Sequence, residues 1–150
     1  MLSADLCIAG LTASSSDEVL RALSSRLLAA GSVLPSFEAA ALARERRSPT
    51  GLPFPNIAVA LPHAEPEHVV TPAIAVASLK APVKFRQMGS PAIRIDVSLV
   101  VMPALTAKEQ AAAELSRLIE LLQDETLRHA LAEADSARAI CEILAPRWSP

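Results

Sequence analysis

The amino-acid sequence predicts an α/β fold, a single-domain mixed β-sheet flanked by helices. Three observations carry that expectation. The chain has 150 residues, the size of one ordinary domain. Short runs of Val, Ile, Ala and Leu with strand character occur near the start and through the middle, while Leu at helical spacing marks segments on either side of them. No internal repeat or low-complexity linker divides the sequence, so residues 1–150 read as one domain.

Each element has a local reason. Residues 4–11 read as a first strand, ended by Gly10 and a Ser/Thr cluster. Ser15 and Glu18 form a capping box, and Leu20, Leu23 and Leu27 recur on one helical face until Gly31 stops the helix. Ser36 caps a second helix that runs through an Ala-rich stretch to about Arg46, and its basic end (Arg44, Arg46, Arg47) suits the negative pole of the helix dipole. Pro49, Gly51 and Pro55 make the segment from Ser48 to Asn56 a loop. Ile57 to Leu61 is a short apolar strand stopped by Pro62, followed by the polar turn His63 to His68.

Ala73 to Leu79, Val83 to Phe85 and Ile93 to Val101 read as three further strands; in the last, Ile93, Ile95, Val97 and Leu99 alternate with Arg94, Asp96 and Ser98. The C-terminal third is helical. Thr106 and Glu109 form a second capping box ahead of Leu115, Leu118, Ile119 and Leu122; Asp124 opens a helix to about Ala132, and Asp135 opens one that reaches Leu144.

Composition excludes several functions. Hydrophobic residues make up 51% of the chain but aromatic ones only 3%, so the core is aliphatic and stacking platforms for bases or sugars are not expected. With 14 Lys and Arg against 16 Asp and Glu the net charge is −2, which leaves no electrostatic footprint for nucleic acid or an anionic membrane. The four glycines lie too far apart to form a phosphate-cradling loop, so no nucleotide cofactor is expected. Cys7 and Cys141 lack metal or redox spacing and read as free thiols. The stretch Met1 to Gly10 has no basic flank and no apolar run is long enough to span a bilayer, so a cytoplasmic location is expected, without membrane insertion.

Two of the three histidines, His63 and His68, flank a turn leaving a strand, where a rigid scaffold presents side chains to solvent. Three readings compete. Both can be surface histidines bonded to nearby backbone. They can join Glu65 and Glu67 in a metal site, although the spacing is not that of strong zinc motifs. Or His63 can be a nucleophile, since a neutral imidazole has a free lone pair able to attack a phosphoryl group if its other nitrogen is held and cations meet the incoming charge. Arg44 supplies such a cation if the 48–56 loop folds back, and His68 can donate as well. Glu45, Thr50 and Asn56 read as structural, through loop hydrogen bonds and turns, and His129 as a structural helix residue.

The string Arg44-Glu45, Ser48-Pro49-Thr50-Gly51, Ile57-Ala58-Val59-Ala60-Leu61-Pro62-His63-Ala64 resembles the signature of the enzyme IIA domain of the bacterial phosphoenolpyruvate-dependent sugar phosphotransferase system, fructose/mannitol type. There an Arg-Glu pair ends a helix, a Thr-Gly loop follows, and an apolar strand closes on Pro-His. The likeness extends over most of the chain, including the Leu-rich helix from Thr106 to Leu122. His68, close behind His63 with acidic residues between, is similar to the galactitol-type branch. In place of the usual Asn-Gly-Ile-Ala the chain has Pro55-Asn56-Ile57-Ala58.

The resemblance implies a fold of the phosphotransferase/anion transport protein type and a phosphocarrier without cofactor or metal. It implies that His63 takes a phosphoryl group from the phosphocarrier HPr and passes it to enzyme IIB, with Arg44 and His68 as supporting contacts. The alternative it carries is a nitrogen-type regulatory IIA protein, whose phosphorylation state controls protein partners.

Overall fold

The computed structural model describes residues 2–148. A 3-10 turn at Ala4–Leu6 leads into β1 (Cys7–Leu11), followed by α1 (Ser16–Ala29), α2 (Phe37–Arg47), β2 (Gly51–Leu52) and β3 (Ala58–Ala60). After a second 3-10 turn at Pro66–His68 come β4 (Ala73–Gln87), β5 (Ser90–Ala104), α3 (Lys108–Leu122), α4 (Glu125–Glu133) and α5 (Ala137–Leu144).

The sheet is mixed, as the sequence predicts, and has five strands; β2 falls inside the stretch from Ser48 to Asn56 that reads as a loop, because Gly51 and Leu52 pair with Ala60 and Val59. Its spine is the antiparallel β4–β5 hairpin, to which β1 adds parallel along β4 and β3 adds parallel along β5. Strand β2 pairs antiparallel with β3 and touches the end of β4, Gly51 opposite Gln87. Where two short strands are expected at 73–79 and 83–85, the chain forms one strand whose register shifts between Ser78 and Val83, absorbing Pro82 at an irregularity of the ladder. In β1, Gly10 does not end the strand; at φ 69° it sits in a break of register, and its N–H goes to Ser78 Oγ at 2.9 Å.

Over residues 73–79 and their partners in β5 both faces of the sheet are covered, so the strands are apolar on both sides there, while the distal half of the hairpin has one exposed face. Along β4, Ala73, Ala75 and Ala77 face α1 and α2, where small side chains let Leu20, Leu23, Leu27 and Phe37 approach closely. The intervening Ile74 and Val76 face α3, α4 and α5, against Leu118, Leu122, Leu131 and Ile140. This two-sided aliphatic packing explains how a chain with so few rings fills its core.

The caps agree in part with the sequence. Ser15 Oγ accepts from Glu18 N, while the Glu18 carboxylate reaches back to Ser14 N; Asp124 caps α4 through Leu127 N. The Thr106 box does not form: α3 begins at Lys108 behind Ala107, which offers no side-chain acceptor. Ser136, rather than Asp135, caps α5 by accepting from Ala139 N. Ser36 precedes α2 but makes no cap bond, because its hydroxyl is engaged by His68. Both cysteines are free; burial pushes the Cys7 thiol up to about 12, which makes it inert.

Gly51 marks the closest approach in the sheet, since a Cβ there would lie 2.6 Å from the Arg86 carbonyl oxygen. Gly51→Ala is therefore expected to lower the unfolding free energy by about 1–3 kcal/mol in urea denaturation. Unchanged stability would show that β2 can move away from β4 without loss.

Candidate functional site

Strand β3 is too short to hold its neighbours alone, so the segment from Phe54 to His63 is fixed by side chains from elsewhere. Asn56 has φ 69°, a left-handed conformation that Gly enters freely and Asn tolerates better than other residues. The missing Gly before Ile57 is thus replaced by the next most permissive residue, whose Nδ2 also donates to Glu125 Oε1 at 2.6 Å. Arg128, 1% exposed, donates to four carbonyls: Pro55 and Ile57 in the approach to β3, and Leu122 and Gln123 at the end of α3. Its guanidinium also lies 4.8 Å from the centre of the Phe54 ring. A cation among carbonyls at a helix C-terminus is electrostatically favoured, and here it ties the loop to the helical layer.

At the other end of the strand, Thr50 links three elements. Its backbone N–H and hydroxyl both donate to the Glu45 carboxylate, at 3.0 and 2.8 Å, and its Oγ1 accepts from Leu61 N at 3.1 Å. The Leu61 carbonyl then accepts from His63 Nδ1 at 2.8 Å. A carbonyl can only accept, so this bond places the proton on Nδ1 and leaves the lone pair on Nε2. Arg44 Nε donates to that lone pair at 3.0 Å, and Arg44 Nη1 is anchored on Glu65 Oε1 at 2.8 Å. The geometry therefore calls for a neutral imidazole.

Electrostatics agrees. Burial holds the His63 imidazole below its ordinary value, with the Arg44 charge acting in the same direction, against the Leu61 hydrogen bond and the Glu65 carboxylate. Burial also pushes the Glu45 carboxyl up to about 7, against the two Thr50 hydrogen bonds and Arg44.

His63 lines a pocket of about 260 Å³ together with Arg44, Glu65, Pro103, Lys108 and Leu115 among others. The structure thus brings Arg44 to His63, as the sequence reading requires. It does not place His68 at that pocket: the His68 ring shares a 2.8 Å hydrogen bond between Nδ1 and Ser36 Oγ, and its carbonyl accepts from Leu34 N. Lys108, at the start of α3, is the cation the sequence reading overlooks; no carboxylate pairs with it among the described residues. Its only sequence signal is a lysine in a first helical turn, where a cation is unfavourable to the dipole. Among the described residues no three His, Cys, Asp or Glu side chains converge on a metal position, and both His63 nitrogens are already engaged. His129 is half exposed, 3.9 Å from Glu133.

An α/β domain that ends a buried strand on a histidine of fixed tautomer, with an arginine at its free nitrogen, sets one nucleophilic nitrogen beside a cation. Residues 1–146 match the family described as "Phosphoenolpyruvate-dependent sugar phosphotransferase system, EIIA 2", and the chain belongs to that family. It is 34% identical over 137 residues to multiphosphoryl transfer protein 2 of Escherichia coli, covering 87% of this chain and 15% of that protein. It is 38% identical over 112 residues to the fructose-specific EIIABC component of Bacillus subtilis, covering 73% of this chain and 16% of that one. The chain therefore spans less than a fifth of these relatives. Among solved structures, the complex of mannitol enzyme IIA with phosphorylated mannitol enzyme IIB from Escherichia coli aligns over 98% of this chain and 100% of that one, with TM-score 0.78 and 24% identity. That likeness shows the fold. No helix among the described residues is long and apolar enough to cross a membrane.

The Glu45 carboxyl gives a pH signature. Its value rises from 4.5 unfolded to about 7 folded, so between these the folded state holds more protons and loses stability as pH rises. The stability difference between wild type and Glu45→Gln should fall by on the order of 2 kcal/mol from pH 4.5 to 7 and level off above. Denaturation curves at a series of pH values measure it, and a flat difference would place the carboxyl in its ordinary range.

Proposed function

We propose that this chain is the phosphocarrier domain of a cytoplasmic sugar-uptake system, taking a phosphoryl group from HPr phosphohistidine onto His63 Nε2 and passing it to enzyme IIB. The observation that carries the reading is the hydrogen bond from Nδ1 to the Leu61 carbonyl, which leaves Nε2 as the only nucleophilic nitrogen. The description of the family and the name of the fructose-specific relative support sugar transport over a regulatory role.

In the first transfer the Nε2 lone pair forms a bond to phosphorus as the bond from phosphorus to the donor histidine nitrogen breaks, and that electron pair returns to the donor ring. His63 becomes a phosphoimidazolium, whose Nδ1–H keeps the Leu61 carbonyl as partner for the new positive charge. Arg44 Nε must release Nε2 before attack; the Glu65 anchor keeps the guanidinium within reach, so that it turns from the ring nitrogen to a phosphoryl oxygen. Lys108, which lines the same pocket, meets the phosphoryl charge, the role the sequence reading assigns to His68. His68 instead secures the turn through Ser36. Transfer to enzyme IIB reverses these steps.

Incubation with phosphorylated HPr should label the wild type and leave His63→Ala unlabelled with its circular dichroism unchanged; a labelled variant overturns the assignment. Lys108→Gln should slow labelling about 10-fold, with Lys108→Arg largely restoring it. A wild-type rate in Lys108→Gln would remove Lys108 from the transition state. Because His63 is held below its ordinary value, the fall in rate on acidification should set in at lower pH than for an unperturbed histidine, which is half protonated near about 6.5; a fall centred there would remove the effect of burial.

A further inference from the structure

On the distal half of the β4–β5 hairpin, two neighbouring rungs of the ladder carry charges on one face. Lys84 stands opposite Asp96 and pairs with it at 2.8 Å; two residues along each strand, Arg86 stands opposite Arg94. Like charges directly opposite in an antiparallel ladder repel. Neither guanidinium has a carboxylate partner among the described residues. The rung therefore lacks the counter-charge that its neighbour has.

These side chains border a cleft of about 420 Å³ lined by Ser16, Asp17, Glu45, Arg46, Lys84, Arg86 and Arg94. Every lining residue is polar or charged, which suits a polar ligand. Arg46 is paired with Asp17 at 3.0 Å and Lys84 with Asp96, so the uncompensated charge lies on the Arg86–Arg94 rung. The guanidinium fork suits a phosphate, which would turn repulsion into charge-assisted hydrogen bonds. The Ser16 hydroxyl and the Asp17 carboxylate add acceptors for ligand hydroxyls. Glu45 directs both carboxylate oxygens at Thr50, and burial raises its carboxyl so that it bears only part of a charge near neutral pH, which eases an anion's entry.

We propose that this cleft binds the phosphate monoester of a small polyhydroxylated compound, with the phosphate between Arg86 and Arg94 and the hydroxyls toward Asp17 and Ser16. The site is separate from His63, sharing no lining residue with its pocket. Glu45 lies between the two, facing the cleft and tied through Thr50 and Leu61 to the histidine.

Titration at constant ionic strength, followed by backbone amide resonances, tests this with fructose 1-phosphate, inorganic phosphate and fructose as probes. Saturable shifts at Ser16, Arg86 and Arg94 are expected with fructose 1-phosphate, about 10-fold weaker binding with inorganic phosphate, and none with fructose. Arg86→Gln and Arg94→Gln should each lose at least 10-fold in affinity, while Lys80→Gln, at an exposed cation outside the cleft, should bind as wild type. Without ligand, Arg94→Gln should melt at or above the wild-type temperature because the repulsion is gone. Full affinity in Arg94→Gln overturns the site, equal affinity for inorganic phosphate overturns the polyol component, and a clear fall in melting temperature overturns the repulsion on which both rest.

Discussion

The hydrogen bond from His63 Nδ1 to the carbonyl of Leu61, at 2.8 Å, sets the condition that the rest of the site meets. It decides the tautomer, and with it which nitrogen can act. A backbone carbonyl serves this better than a carboxylate: it orients the ring and steadies an imidazolium without holding the ring protonated beforehand. Burial then keeps the free ring neutral. For this to work the Leu61 carbonyl has to be stationary, and β3, with three residues, cannot ensure that alone.

The surrounding structure supplies what the strand lacks. Before the strand, Arg128 collects four carbonyls into one buried guanidinium; after it, Thr50 clamps the Leu61 N–H and is clamped by Glu45. Each is a polar group in a dry setting whose hydrogen bonds are met, so each stabilises one backbone geometry and penalises the alternatives. The aliphatic core gives the scaffold bulk, but these two polar knots give the histidine its position. Gly51 belongs to the same arrangement: lacking a Cβ, it lets β2 lie against the Arg86 carbonyl and thereby sets where Thr50 stands.

How far the sequence discloses all this follows from the range of the interactions. Helices α1 and α4 are legible from Ser15 and Asp124, because a cap acts over three residues. The Thr106 box misleads because its spacing is met while the chain is still leaving β5, so the helix starts at Lys108. The β4 strand reads as two because Pro82 and the exposed residues around it interrupt the apolar pattern, and only pairing with β5 shows the strand to be continuous. His63 and Arg44 are legible as a local motif. Lys108 and Arg128 are not: each reaches the site by tertiary packing, and neither an exposed nor a buried cation on a helix announces its partner in the sequence.

Charge shows why position outweighs sum. The chain's net charge of −2 gives no hint of anion chemistry. Yet its cations are distributed so that Arg44 and Lys108 border one pocket and Arg86 and Arg94 another, while many of the acids are spent in pairs. Glu45 lines the second and is tied through Thr50 to the strand that ends at the first. Its carboxyl, poised near neutrality by burial, holds Thr50 in place while facing a cluster of guanidinium groups. A change of charge in the cleft would act first on that carboxyl, and from there only the Thr50 hydroxyl and the backbone of Leu61 separate it from the imidazole.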